Sequence, residues 1–135
     1  MLLTMRSRIF LHVVWTTRDR EPIIGAEGAG FLSEYLPRIA SEERAKVLGL
    51  GIVTTHLHML VRVHPTTVLP RLVQRWKGGS ATVAKRDHQI ILKWDAGYNV
   101  ESVSVRALSS VMHYVTTQDE HHPDQAIAIP SPASG

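Results

Sequence analysis

The sequence predicts an α+β domain of the ferredoxin-like type: an antiparallel βαββαβ sheet with one further helix at the C-terminal end. Three observations predict it. Residues 46–63 hold two strand-like stretches back to back, with only Thr54-Thr55 between them. Segments with helical apolar spacing follow the first strand and follow that hairpin. The order along the chain is strand, helix, strand, strand, helix, strand, helix. A length of 135 residues suits one domain, and a chain of this size buries about two-thirds of the surface its unfolded form exposes. We place that domain over residues 1–120, with 121–135 a disordered or loosely docked tail.

The first strand is Arg8-Ile9-Phe10-Leu11-His12-Val13-Val14-Trp15-Thr16-Thr17, rich in β-branched and aromatic residues and apolar enough for a central position. A charged turn, Arg18 to Pro22, ends it. Phe31, Leu32, Tyr35, Leu36, Ile39 and Ala40 then recur at helical spacing, giving a helix over roughly 27–43. Pro37 lies inside it and predicts a kink or a split. The second strand, Lys46 to Val53, contains Gly49 and Gly51, which permit close backbone approach or a bulge. A helix over about 68–86 follows His64-Pro65. Gly78-Gly79-Ser80 either break that helix or let the backbone approach something closely, a phosphate being one case. A fourth strand falls somewhere between Ile90 and Val103. Ser104 is placed to cap a last helix over roughly 104–120.

Composition narrows the function. Hydrophobic residues make up 44% and charged residues 20%, as in ordinary globular proteins. With no cysteine, disulfides, thiolate zinc sites and cysteine nucleophiles are excluded. No apolar run approaches the ~20 residues that span a bilayer, and the Met1–Met5 start is too short for a signal peptide, so the expectation is a cytoplasmic protein with no membrane partner. A net charge of +3 and a pI near 9.6 lean towards a polyanionic partner.

Chemistry concentrates in the third strand, His56-Leu57-His58-Met59-Leu60-Val61-Arg62-Val63. Side chains alternate along a strand, so Leu57, Met59, Val61 and Val63 line one face and His56, His58, Leu60 and Arg62 the other. Two imidazoles side by side can supply two metal ligands, although such a pair also arises by chance. In the last helix Leu108, Val111, Met112 and Val115 form the apolar stripe. Tyr114 and Gln118, one turn apart, fall at its edge. Such a pair either faces a cleft between helix and sheet, or is a boundary tyrosine with a solvated glutamine.

Together, His56-Leu57-His58 and Tyr114-Val115-Thr116-Thr117-Gln118 resemble the single-tyrosine HUH transposases of bacterial insertion sequences and their domesticated relatives associated with repetitive extragenic palindromes. Val14-Trp15-Thr16-Thr17, Trp76-Lys77-Gly78-Gly79-Ser80 and Trp94-Asp95-Ala96-Gly97-Tyr98 extend the likeness in register over residues 8–120. The resemblance implies a nuclease and strand transferase acting on single-stranded DNA at imperfect hairpins. It implies His56, His58 and Gln118 as ligands of a divalent metal and Tyr114 as the nucleophile. Such neutral nitrogen-containing ligands favour Mn²⁺ over Mg²⁺, with either ion able to serve. Cleavage and rejoining at paired sites by one tyrosine per chain suggests a homodimer. One position departs from the family: Thr55 stands where an acidic residue usually precedes the first histidine. Loss of a carboxylate that orients imidazole or metal can cost 10–100-fold in affinity or activity.

On this reading Arg71, Arg75, Lys77, Lys85 and Arg86 neutralise DNA phosphates, and Trp76 or Trp94 either stacks on an unpaired base or belongs to the core. Two alternatives compete. One is a non-catalytic DNA-hairpin-binding relative; the other is an unrelated hydrolase with zinc on His56, His58 and His12 or His64.

Overall fold

The computed structural model describes residues 8–128. A four-stranded antiparallel sheet is built from β1 (Ile9–Thr16), β2 (Ala45–Ile52), β3 (His56–Val63) and β4 (Asn99–Val103). Its order, β2-β3-β1-β4, puts the most apolar strand and the histidine strand in the middle. This is the ferredoxin-like arrangement. Helices α1 (Ala26–Glu42) and α2 (Leu69–His88) cover one sheet face, while α3 (Leu108–Thr116) and the short α4 (Gln118–His121) cover the other. Residues 129–135 of the expected tail lie outside the described residues.

The alternation along β3 divides two cores. Leu57, Met59, Val61 and Val63 join Val13, Trp15, Leu32, Leu36, Leu72 and Trp76 under α1 and α2. On the opposite face Leu60, Val103 and Val115 gather Leu108, Val111 and Met112 of α3. Burying each large aliphatic side chain contributes ~1.5–3 kcal/mol, so β3 is fixed in register from both sides. A one-residue slip would turn both histidines into the larger core.

Several expectations change. Proline does not split α1, which runs unbroken through Pro37. The hydrogen bond that proline cannot donate would have gone to the Ser33 carbonyl, and Ser33 lies on the exposed face, where the lost bond costs less than it would in the core. Likewise α2 is continuous across Gly78-Gly79. The close approach there is to protein: a Cβ on Gly79 would overlap the Tyr35 hydroxyl of α1. Trp76 is fully buried, its Nε1 donating to Leu36 O at 2.9 Å, so it cannot stack on a base. Trp94 packs edge-on against Trp15, with its Nε1 donating to Ser80 Oγ at 3.0 Å. The fourth strand is confined to Asn99–Val103, and Ile90 and Leu92 instead pack into the larger core.

The last helix is not one piece. Ser104 caps a 3-10 turn, Val105–Ala107, accepting from Ala107 N at 3.2 Å. α3 then stops at Thr116, and Thr117 leaves helical geometry at φ −117°, ψ 34°. Thr117 Oγ1 donates to His113 O at 2.6 Å, occupying the carbonyl that would continue the helix. This break turns Gln118 inward.

Glycine seats α3 on the sheet. A Cβ on Gly49 would overlap the Met112 sulfur, and one on Gly51 would overlap the Val115 carbonyl oxygen. Both expectations for these glycines are met, since the β2–β3 register also shifts between Val47 and Gly49.

Candidate active site

The imidazoles of His56 and His58 lie on the α3 side of the sheet with ring centroids 5.1 Å apart. Both are buried, at 6% and 7% exposure, in the angle between β3 and the α3–α4 break. Tyr114 comes from the last turns of α3. Its ring meets that of His58 edge to face at 5.5 Å, and it stays 39% exposed, open to a large substrate. Gln118 is nearly fully buried beside His56. Its Nε2 donates to Tyr114 O at 2.8 Å, which leaves Oε1 buried without a hydrogen-bond partner.

The two histidines are held from behind. Thr55 Oγ1 and His56 Nδ1 share a hydrogen bond of 3.0 Å. His12 Nε2 and His58 Nδ1 share one of 2.8 Å. In both rings Nδ1 is engaged, so Nε2 is the nitrogen left for a ligand. Thr55 therefore supplies a contact for orienting imidazole, though without the negative charge of an acidic residue.

Electrostatics keep the rings neutral. Burial, reinforced by the neighbouring histidines 12, 56, 122 and 121, pushes His58 down to about 3. Burial also lowers His56. Its contact with the Gln118 amide pulls the other way, although no bond of good geometry forms, and His122 and Arg20 push it further down. Burial lowers His12 as well, opposed by Glu101 across the β1–β4 pairing. Neutral imidazoles present lone pairs without competition from protons.

Two imidazole nitrogens and a buried, orphaned amide oxygen suit a divalent cation that completes its shell with phosphate or water. Among the described residues no group of three or more His, Cys, Asp or Glu side chains is placed to hold a metal ion. A mixed histidine–glutamine set is a different donor set. His64, the zinc alternative's other candidate, is at the far end of β3 and bonds Thr66 at 2.7 Å.

The five cations singled out in the sequence stand on α2, across the sheet from the imidazoles. Arg71 donates twice to Glu43 Oε2, at 3.0 and 2.7 Å, while Arg75 spans Glu42 and Glu43 at 2.8 and 3.1 Å. These bonds, that of Arg71 first, hold the Glu43 carboxyl below its usual range. Lys77 Nζ donates to the Asp95 and Gly97 carbonyls, and Arg86 pairs with Asp87. Lys85 is exposed and has no ion pair among the described residues.

Three further histidines line the site: His121 and His122, which the sequence reading did not single out, and His12, which it named only as a zinc candidate of the hydrolase alternative. His121 tilts over Tyr114 at 4.8 Å and His122 meets His56 edge-on at 5.1 Å. His12 enters from β1. Its one sequence signal is an imidazole in an otherwise apolar strand, but the face it takes depends on pairing with β3.

The sequence model of the family described as IS200-like transposases matches residues 5–118. The chain is 22% identical over 116 residues to the ISDra2 transposase TnpA of Deinococcus radiodurans, covering 81% of this chain and 83% of that protein. Its structure is similar to that of a Deinococcus radiodurans R1 protein described as a transposase. That match has a TM-score of 0.64 and 23% identity over 95% of this chain and 98% of the other. A REP-associated tyrosine transposase bound to a REP hairpin gives a TM-score of 0.70 at 9% identity, over 90% of this chain and 74% of that one. At such identities the two structures speak to a shared fold. Among the described residues no helix is long and apolar enough to cross a membrane.

Proposed function

The chain belongs to the IS200-like transposase family, and from that premise we propose that it is a metal-dependent single-stranded DNA endonuclease and strand transferase acting at hairpin ends. The observation that carries this reading is the exposed Tyr114 ring 5.5 Å from the His58 ring, beside an unpaired Gln118 oxygen.

In this reading Tyr114 is the nucleophile. Its oxygen bonds to the scissile phosphorus while the bond to the 3′ oxygen breaks. The phenolic proton passes to solvent, and the departing 3′ oxygen takes one up. The 5′-phosphotyrosine retains the energy of the broken ester, so a 3′-hydroxyl can later attack and rejoin DNA. His56 and His58, through Nε2, and Gln118, through Oε1, are the proposed ligands of Mg²⁺ or Mn²⁺. When bound, the ion supplies Lewis-acid polarisation of a non-bridging phosphate oxygen. Since all three ligands are neutral, the protein leaves the positive charge available for the phosphate.

Arg71, Arg75, Lys77, Lys85 and Arg86 are proposed to meet the DNA backbone around the sheet edge, Lys85 with the fewest competing contacts. Paired cleavage and rejoining needs two tyrosines, so the working unit is a homodimer with one site per chain. Imperfect hairpins are the class of DNA proposed for this chain, a reading supported by the REP-associated tyrosine transposase being bound to a REP hairpin.

The test is a denaturant-resistant adduct with single-stranded hairpin DNA in Mn²⁺. Tyr114→Phe should abolish it while leaving hairpin binding intact. An adduct that survives the substitution excludes Tyr114. Hairpin binding in chelator with no cleavage in Mn²⁺ would instead identify a non-catalytic relative.

A further inference from the structure

The geometry points to His12 as the positioning residue that sets the tautomer and rotation of His58. This rests on the reading that His58 faces a divalent ion through Nε2. In the β1–β3 register His58 is directly opposite Val14, and His12 is opposite Leu60. His12 is thus the diagonal neighbour of His58 on the same sheet face, within reach of a long or aromatic side chain. The ring centroids are 5.0 Å apart with 24° between planes and the facing nitrogens 2.8 Å apart, so the rings lie nearly end to end, as an in-plane N–H to nitrogen bond requires.

Proton inventory decides what this bond does. A neutral imidazole carries one N–H, and a lone pair at Nε2 requires that hydrogen to sit on Nδ1. Nδ1 of His58 is the atom facing His12. His58 therefore donates, His12 Nε2 accepts, and His12 carries its own hydrogen on Nδ1. Glu101 is the partner of His12 in the β1–β4 register. Metal-bound histidines ordinarily give their second N–H to a carboxylate, a carbonyl or water. Here another imidazole takes that part for His58, as the Thr55 hydroxyl does for His56. Without His12 the buried His58 Nδ1–H loses its acceptor, and the Nε2–H form, which has no lone pair at Nε2 for a metal, gains population.

The experiment reads tautomers directly, by long-range ¹H–¹⁵N correlation on metal-free protein labelled with ¹⁵N-histidine. Wild-type His58 should be protonated at Nδ1. His12→Phe should shift it towards the Nε2–H form and weaken Mn²⁺ binding, measured by calorimetry, by about 10–100-fold. His12→Gln, whose Oε1 can stand near the lost Nε2, should keep the wild-type tautomer and restore most of the affinity. The inference is overturned if wild-type His58 is protonated at Nε2, or if His12→Phe matches wild type in tautomer and affinity. A metal-shifted His12 nitrogen in Zn²⁺-loaded protein overturns it too, by making His12 a ligand. Should wild type bind no Mn²⁺, the proposed function fails on that point, and the metal-free tautomers still decide the role of His12.

Discussion

Tyr114 and His58 meet edge to face at 5.5 Å within a single chain. The helix that carries the tyrosine lies directly on the backbone of β2, at Gly49 and Gly51. The phenol is thus seated against its own chain's histidines. A mixture of Tyr114→Phe and His58→Ala proteins should then stay inactive in the adduct assay, because no chain holds an intact site. Recovery of cleavage on mixing would mean that the tyrosine helix is exchanged between subunits.

Of the two glycines beneath α3, Gly51 is the one whose added Cβ would meet the backbone of the helix. Gly51→Ala puts a methyl group into the Val115 carbonyl, and overpacking of this kind costs about 1–3 kcal/mol. Since α3 must lift to make room, adduct formation should fall further than stability does. Urea midpoints alongside adduct yield would check this, and full activity in a destabilised protein would contradict the seating described.

Thr55 reaches His56 only through a hydroxyl. Thr55→Val keeps the shape and removes the 3.0 Å bond to Nδ1. Mn²⁺ affinity should drop by about 10–100-fold, as for other outer partners of ligating histidines. Thr55→Ser should retain most of it. Titration calorimetry on the three proteins gives the answer; equal affinities would show that packing alone orients His56.

Acid should destabilise the protein in two stages. Burial holds folded His58 near 3 against 6.5 for a free imidazole, so between those values the unfolded chain binds more protons than the folded one. Stability is therefore whole above about pH 6.5 and declines as pH falls towards 3. Glu43, whose folded carboxyl is held below 4.5 chiefly by Arg71, adds a second loss as pH falls through its range. Denaturant midpoints across the acid range should show both, and His58→Leu should flatten the upper stage. An unchanged slope in that variant would assign the effect to other groups.

Ion pairing separates the α2 cations. Lys85→Ala should lower the salt dependence of single-strand binding by one phosphate contact, about 0.7 in the log–log slope, and leave unfolding unchanged. Arg71→Ala should lower stability as well, since Arg71 makes two hydrogen bonds to the largely buried Glu43. If Lys85→Ala leaves the slope untouched, the DNA path runs elsewhere, with Arg20 near His56 the next residue to test.

By itself the sequence determined the order of the main strands and helices, because these depend on local periodicity, although it read the segmented last helix as one piece. The alternation of Leu57, Met59 and Val61 against His56, His58 and Leu60 fixes which residues share a face, and β3 forms over the predicted His56–Val63. The helical stripe of Leu108, Val111, Met112 and Val115 likewise reads directly from spacing. What the sequence could not settle were contacts between distant segments. Pro37 and Gly79 have the local signature of helix breaks, yet both helices continue, with Pro37 above an exposed Ser33 and Gly79 packed under the Tyr35 hydroxyl. Trp76 was equally compatible with a base-stacking surface until its position between α1 and β1 put it in the core. Only tertiary structure brought His12 onto His58 and left Gln118 Oε1 unpaired, since both depend on strand register and on the break at Thr117. Periodicity tells which side of a strand a residue takes; which partner waits there is set by how the whole chain packs.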